Sequence, residues 1–80
     1  MDKEKLLNAL GLASKARKIV IGEQNVLNTI KSQEAKLVFL ADDTGINTTK
    51  RITDKCNFYE VDKITDFSTL ELNKAIGKRN

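Results

Sequence analysis

A short apolar run near the middle of the chain restricts it to a few fold classes. Leu37–Ala41 is continuously apolar, without the alternation of a half-exposed strand, and it is the longest such run in the 80 residues. An uninterrupted apolar run of this length predicts a strand buried on both faces. Strands of that kind are typical of parallel sheets covered by helices, so the chain must also supply helices.

Four segments with helical periodicity surround this run. Apolar residues recur at i, i+3, i+4 and i+7 in the first segment, which predicts one buried face and one solvated face. The residues that mark these helices are, in chain order, Asp2 as the first N-cap, Gly22 before the second helix, Asn47 as the third N-cap, Ser68 and Glu71 as a capping box, and Gly77 as the stop of the fourth.

Two further runs have the composition of strands. Ile19–Ile21 is β-branched throughout, and Phe58–Val61 contains two aromatic residues. Helices and strands therefore alternate along the chain, which predicts an α/β fold with a parallel component in its sheet and helices on both faces. Phe58 and Tyr59 are also candidates for stacking on bases, although strand periodicity places at least one of them in the core. Cys56 shares an apolar face with Ile52 and is predicted to be a core residue.

Composition excludes several function classes. The chain contains no histidine and one cysteine, Cys56, so it offers neither a histidine-based catalytic triad nor an internal disulfide. One cysteine without histidine does not make a zinc site. No cofactor is expected. No run approaches the roughly 20 apolar residues of a membrane span, and the N-terminal region lacks the core of a signal peptide. A single domain over residues 1–80, located in the cytoplasm, is the expectation.

The net charge of +3 is unevenly distributed. Residues 1–36 carry seven Lys and Arg against four Asp and Glu, whereas residues 37–80 carry seven of each. The excess is densest at Lys15, Arg17 and Lys18. A basic cluster beside a neutral half suits a polyanionic partner, and a solvated lysine-rich face is the plainer alternative.

The junction at Gly22 is the main candidate for a binding site. Glycine allows close approach of a ligand to the backbone, and the N-terminus of the helix that follows offers free N–H groups. The side chains presented there are Glu23, Gln24, Asn25 and Asn28, with Lys31 one turn further on. Amides carry donors and acceptors that read base edges, while the upstream basic cluster can neutralise phosphates. An ordinary strand–turn–helix with a polar outer face is the alternative.

Asp42 and Asp43 form a second candidate site, at the carboxyl end of the predicted central strand. Ligands gather at this edge of open α/β sheets, and two carboxylates are suitable ligands for Mg²⁺. This pattern would fit a signalling or phosphoryl-transfer module. The simpler interpretation, which we favour, is a polar loop that leads into a helix N-terminus.

Three stretches resemble a known family in the same order along the chain. They are LLNALGLASKARKIVIG from Leu6, KIVIGEQNVLNTIKSQEAKLVFLADD from Lys18 and LNKAIG from Leu72. Together they resemble the L7Ae/L30e superfamily of kink-turn RNA-binding ribosomal proteins, and within it the bacterial YlxQ-like branch. The resemblance implies a three-layer α/β/α sandwich with a small mixed sheet. It also implies binding of sharply bent RNA, without catalysis, and association with the ribosome or with other ribonucleoprotein components.

The family's signature at the second helix is Gly, any residue, Asn, Glu, two further residues and Lys. Gly22 matches the Gly, whereas Gln24 replaces Asn, Asn25 replaces Glu and Asn28 replaces Lys. After the late glycine the family has an apolar loop, where this chain has basic residues. The residues assigned to RNA binding are Lys15, Arg17, Lys18, Gly22, Glu23, Gln24, Asn25, Asn28, Lys31, Lys78 and Arg79.

The resemblance implies one further difference. In the family, an antiparallel strand and a helix follow the late glycine, and that strand lies between the first and second strands of the sheet. The sequence ends at Asn80, before this strand, so the fold is expected to be C-terminally incomplete relative to the family. The open sheet edge this would leave makes a protein-interaction module the remaining alternative.

Overall fold

The computed structural model describes residues 2–77 of the chain. Its elements are, in order, α1 (Lys3–Lys15), α2 (Glu23–Lys31), β1 (Leu37–Phe39), α3 (Ile46–Tyr59), β2 (Asp62–Ile64) and α4 (Thr69–Ala75). The predicted α/β class is confirmed.

Two helices begin where their capping residues predict. The Asp2 side chain accepts from the Glu4 N–H at 2.9 Å and so starts α1. Ser68 and Glu71 form the reciprocal capping box of α4. The prediction for α3 is wrong by two residues, because its N-cap is Gly45 rather than Asn47. Gly45 provides no side-chain cap, so no capping signal marks this start in the sequence.

The sheet has two parallel strands in the described part of the chain. β1 pairs with β2 in the register Leu37 to Asp62 and Phe39 to Ile64, and α3 makes the crossover between them. The ladder continues past β1, where Leu40 donates its N–H to Ile64 O at 2.9 Å. The sheet is therefore entirely parallel, and no antiparallel pair is present in residues 2–77.

The third predicted strand is misplaced. Phe58 and Tyr59 are the last residues of α3, and the strand follows at Asp62–Ile64. The helix persists because Ile52, Cys56 and Tyr59 recur at i, i+4 and i+7 and all contact the core. Glu60 then ends the helix in the left-handed conformation, with φ 57°.

Ile19–Ile21 is not a strand in this structure, contrary to the sequence prediction. A strand requires a hydrogen-bonded neighbour, and a cleft of about 530 Å³ lies between this segment and β1, with α1, α2 and α4 as its other walls. Val20 and Ile21 consequently remain 47% and 51% exposed. The same opening leaves Leu37 41% exposed, so β1 is not buried on both faces as predicted.

The core lies between the sheet and the helices α2 and α3. Its buried residues are Leu27, Ile30, Val38, Leu40, Ile52 and Cys56. The prediction that Cys56 is a core residue is therefore confirmed, and burial raises the pKa of its thiol. On the other side of the sheet, Phe39 contacts Phe67 with ring centroids 6.3 Å apart.

Helices α1 and α4 pack against each other beside this second face. A Cβ atom on Gly11 of α1 would lie 2.8 Å from the carbonyl oxygen of Ala75, so only glycine permits the observed approach. The Ser14 hydroxyl donates to Ile76 O at 3.2 Å one turn further along α1. None of the helices within residues 2–77 is long and apolar enough to cross a membrane.

Candidate nucleic-acid interface

Helix α2 starts at Gly22, as the sequence predicts. Gly22 has φ 100° and ψ 140°, a conformation that residues with a Cβ rarely adopt. Asn25 fixes this entry, because its Nδ2 donates to Ile21 O at 3.1 Å. The first N–H groups of α2 have no partner within the helix, so they present donors and the positive end of the helix dipole.

The three amide side chains lie on the exposed surface of the first two turns of α2. Gln24 Nε2 donates to Asn28 Oδ1 at 3.1 Å, which holds the two side chains together. With Asn25 Nδ2 used at Ile21, the described residues leave Gln24 Oε1, Asn25 Oδ1 and Asn28 Nδ2 without a protein partner. The surface therefore offers two acceptor oxygens and one unbonded NH₂ group, and Gln24 Nε2 and Asn25 Nδ2 each keep one further N–H.

Lys31 continues this exposed surface toward the end of α2. Gln24, Asn28 and Lys31 are spaced i, i+4 and i+7, so they form one row along the helix. Lys31 lies about 12 Å along the axis from Glu23, at a rise of about 1.5 Å per residue. A ligand that contacted both the first turn of α2 and the Lys31 ammonium would therefore have to extend along the helix.

The basic cluster occupies the turn that ends α1. Lys15, Arg17 and Lys18 are all exposed there. The N–H groups of Arg17 and Lys18 donate to Ser14 O and Ala13 O, which is the Schellman pattern of a helix end. Arg17 occupies the left-handed position with φ 57°, where glycine is usual. Gly22 is four positions after Lys18, a reach of at most about 14 Å, so the cluster lies near the start of α2.

Glu23 is placed at the start of α2 as predicted, but its carboxylate faces α3 and is already bonded. Glu23 Oε1 accepts from the Thr48 hydroxyl at 2.7 Å and from Arg51 Nη2 at 3.1 Å, and Oε2 forms an ion pair with Arg51 Nε. The Arg51 hydrogen bond is the main cause that lowers the pKa of Glu23, followed by that from Thr48. Sequence reasoning missed Thr48 and Arg51, because no spacing rule connects residues on two different helices.

The last two residues assigned to RNA binding, Lys78 and Arg79, lie outside the described residues. The residues that follow α4 lie beside the end of α1, because Ile76 O accepts from the hydroxyl of Ser14, the residue before Lys15. Gly77 has φ 74°, in keeping with its predicted role as the stop of α4.

Asp43 has a structural role at the start of α4. Its Oδ1 accepts from the Thr69 N–H at 2.9 Å and from the Thr69 hydroxyl at 2.7 Å. The hydroxyl contact is the largest cause that lowers the pKa of Asp43. Residues 2–77 contain no group of three or more Asp, Glu, His or Cys side chains arranged to hold a metal ion. This geometry favours the interpretation of a polar loop beside a helix N-terminus over the magnesium site, although the helix that Asp43 contacts is α4 and not α3, which follows the loop in the chain.

The two aromatic residues at the end of α3 lie away from the interface. Phe58 is 76% exposed and meets Tyr59 edge-on, with ring centroids 4.9 Å apart. Thr48, near the start of α3, contacts Glu23, and Phe58 follows ten residues later, about 15 Å along the helix axis. Stacking by Phe58 would therefore not involve a ligand held at the first turn of α2.

Comparison with known proteins identifies the family of the chain. A family model described as the ribosomal protein L7Ae/L30e/S12e/Gadd45 family matches residues 4–80. The RNA-binding protein YlxQ of Bacillus subtilis (strain 168) is 48% identical over 69 residues, which span 86% of this chain and 69% of that protein. The RNA-binding protein YlxQ of Enterococcus faecium is 39% identical over 77 residues, 96% of this chain and 75% of that protein.

A solved structure also matches. It is described as the structure of a protein with unknown function from Bacillus halodurans C, with a TM-score of 0.90 and 37% sequence identity. The match covers 95% of this chain and 77% of that one.

Proposed function

The chain belongs to the ribosomal protein L7Ae/L30e/S12e/Gadd45 family, and on that premise we propose that it binds structured RNA of the kink-turn type through the first turns of α2. Two relatives that it matches over most of its length are named RNA-binding proteins. The proposed activity is recognition, in which the bound RNA is a component of the ribosome or of another ribonucleoprotein.

The observation that carries the proposal is the chemistry of the exposed residues on either side of Gly22. The amides Gln24, Asn25 and Asn28 lie at a helix N-terminus, and Lys15 and Lys18 lie on the turn just upstream. Amide groups hydrogen-bond to exposed base edges, whereas lysines neutralise phosphates without reading sequence. A bent RNA brings base edges and two backbone strands close together, so a surface with both chemistries suits it better than a uniform duplex.

The amides distinguish this interface from a generic basic patch. Asn25 Nδ2 donates to Ile21 O, so the side chain is oriented, with Oδ1 available as an acceptor, before RNA arrives. Gln24 and Asn28 are likewise held by their mutual hydrogen bond. Orientation in the free protein reduces the entropy lost on binding. We therefore expect these amides to determine the preference for bent over straight RNA, and the lysines to determine overall affinity.

Titration of the protein with a kink-turn RNA and with a straight duplex of equal length, at two salt concentrations, tests the proposal. We expect tighter binding to the kink-turn. With about 3–5 phosphate contacts, log K should fall with log salt at a slope of about −2 to −4. Equal affinity for the two RNAs would contradict shape recognition, and binding to neither would contradict the proposed function.

A double variant locates the site. Gln24→Ala with Asn25→Ala should reduce the preference for the kink-turn while leaving most of the salt slope, because the lysines are untouched. Asn57→Ala is the matched control, since Asn57 is an exposed amide near the far end of α3. Circular dichroism confirms that each variant is folded. An unchanged preference in the double variant would exclude the first turns of α2 as the reading surface.

A further inference from the structure

An ion-paired cluster joins the first turns of α2 and α3. Arg51 Nε and Nη2 both bond to the Glu23 carboxylate, and Arg51 Nη2 also lies 3.3 Å from the Thr48 hydroxyl oxygen. Thr48 in turn donates to Glu23 Oε1. Two parallel bonds from one guanidinium to one carboxylate fix the plane of the guanidinium group, which a single contact would not do.

The fixed guanidinium keeps N–H donors that are not bonded to Glu23 or Thr48. Arginine carries five N–H groups, and in Arg51 those on Nε and Nη2 are directed to Glu23 and Thr48. The two on Nη1 have no partner among residues 2–77, and the Arg51 side chain is 54% exposed. A pre-oriented pair of N–H donors therefore faces solvent next to the first turn of α2.

Stability alone does not account for this cluster. Ion pairs between exposed side chains contribute little to folding, because water and salt screen them. A carboxylate at the mouth of an RNA site would also repel phosphates unless a cation neutralised it. Arg51 supplies that cation, and Glu23 supplies the bonds that hold Arg51 in place.

We propose that Arg51 is a further RNA-binding residue, whose Nη1 group donates to a phosphate of the same RNA that α2 binds. Glu23 and Thr48 are its positioning residues. The RNA surface then has two walls, the first turns of α2 and the second turn of α3. This inference rests on the proposed function and adds a contact from an element that the sequence motifs do not include.

The direction in which Glu23→Gln changes RNA affinity shows whether Glu23 positions Arg51 or only repels phosphates. Glu23→Gln removes a negative charge near the RNA, so by charge alone it would tighten binding. If Glu23 positions Arg51, the same change releases the guanidinium fork and weakens binding instead. Arg51→Lys keeps the charge and loses the fork, so it should also weaken binding to the kink-turn.

The experiment titrates wild type, Arg51→Ala, Arg51→Lys and Glu23→Gln with the kink-turn RNA and the straight duplex at two salt concentrations. Lys36→Ala is the matched control, because it removes one exposed charge ahead of β1 and Lys36 has no bond to Glu23, Thr48 or Arg51. Arg51→Ala should lower affinity for the kink-turn about tenfold at low salt and reduce the salt slope by about 0.7–0.9. Lys36→Ala should change the affinity little.

Two outcomes would overturn the inference while leaving the proposed function intact. One is wild-type affinity and slope in Arg51→Ala, with the Gln24 and Asn25 variant still impaired. The other is tighter kink-turn binding by Glu23→Gln. Failure of the proposed function is recognised separately, because the wild-type protein would then bind neither RNA.

Discussion

Replacing Gly11 with alanine tests the close packing of the first and last helices. Gly11 lies inside α1, where alanine is intrinsically favoured over glycine by about 0.8–1.0 kcal/mol. In isolation, α1 would therefore gain stability from the change. In the structure, the new Cβ would lie 2.8 Å from the carbonyl oxygen of Ala75, a separation that real Cβ atoms essentially never show.

The contact determines the sign of the effect. Ordinary van der Waals contact begins near 3.4 Å, so α1 and α4 must move apart by about 0.6 Å. The neighbouring atom belongs to the backbone of α4 and does not rotate away as a side chain would. Overpacking of this kind costs about 1–3 kcal/mol. After subtraction of the helix-propensity gain, Gly11→Ala is expected to destabilise the protein by up to about 2 kcal/mol.

Thermal unfolding followed by circular dichroism measures this effect. A net loss of about 1 kcal/mol lowers Tm by about 4–8 °C for a domain of this size. Asn8→Ala is the matched control, because Asn8 is exposed on the same helix and its replacement gains propensity without a clash. If Gly11→Ala were stabilised as much as Asn8→Ala, the close approach of α1 and α4 and the reasoning built on it would be wrong.

Two further predictions concern stability, and each has an internal control. Arg17→Gly removes a non-glycine residue from φ 57°, so it should raise Tm, and it should weaken RNA binding because one positive charge is lost. Gln33→Gly makes the same backbone change at φ 63° after α2, so it should raise Tm and leave RNA binding unchanged. A fall in Tm in both variants would refute the argument that these two residues are strained. The lowered pKa values of Glu23 and Asp43 mean that the folded state holds these carboxylates ionised more strongly than the unfolded state does. Their contribution to stability is thus present above the ordinary carboxyl range and lost as the pH falls through it and below. A series of Tm measurements from pH 7 to about pH 3 should show a smaller acid-induced loss in the double variant Glu23→Gln, Asp43→Asn than in wild type, and equal losses would show that other groups dominate.

The helices were the most predictable part of this fold, because their signals are local. Asp2 and the Ser68–Glu71 capping box bond within one turn, and the structure shows both interactions. Gly22 was likewise predictable, since a glycine between the apolar run Ile19–Ile21 and a helical segment marks a helix entry, and the structure has it there with φ 100°. The start of α3 was not, because Gly45 caps it without a side-chain bond, while Asn47 has the better capping chemistry in the sequence.

The sheet was harder to predict, because a strand is defined by its neighbours. Ile19–Ile21 has the composition of a strand and lines a cleft instead, since the described chain places no hydrogen-bonded partner beside it. The end of α3 shows the opposite error. Phe58 and Tyr59 favour a strand by local propensity, but the contact of Tyr59 with the core continues the helix to that point.

The candidate site likewise has a part that the sequence predicts and a part that it does not. Gly22, the amides of α2 and the basic turn are adjacent in sequence, so their proximity followed from the chain itself. The partners of Glu23 did not, because Thr48 and Arg51 lie 25 and 28 residues further along and meet it only through the packing of α2 on α3. Arg51 belongs to the half of the chain whose charges sum to zero, so counting charges along the sequence provided no indication that it lies beside the start of α2.

The uneven distribution of buried residues has a consequence for how the molecule opens. The main buried cluster lies between Leu27 and Cys56, whereas α1 and α4 contain no buried residue. Local unfolding is least costly where few apolar contacts are lost, so α1 and α4 form one cooperative unit that separates before the rest unfolds. Gly22 lies at the boundary between the two units. A ligand that contacts both the basic turn and α2 should therefore protect the amides of α1 from hydrogen exchange, including those at the start of the helix, which are far from the basic turn.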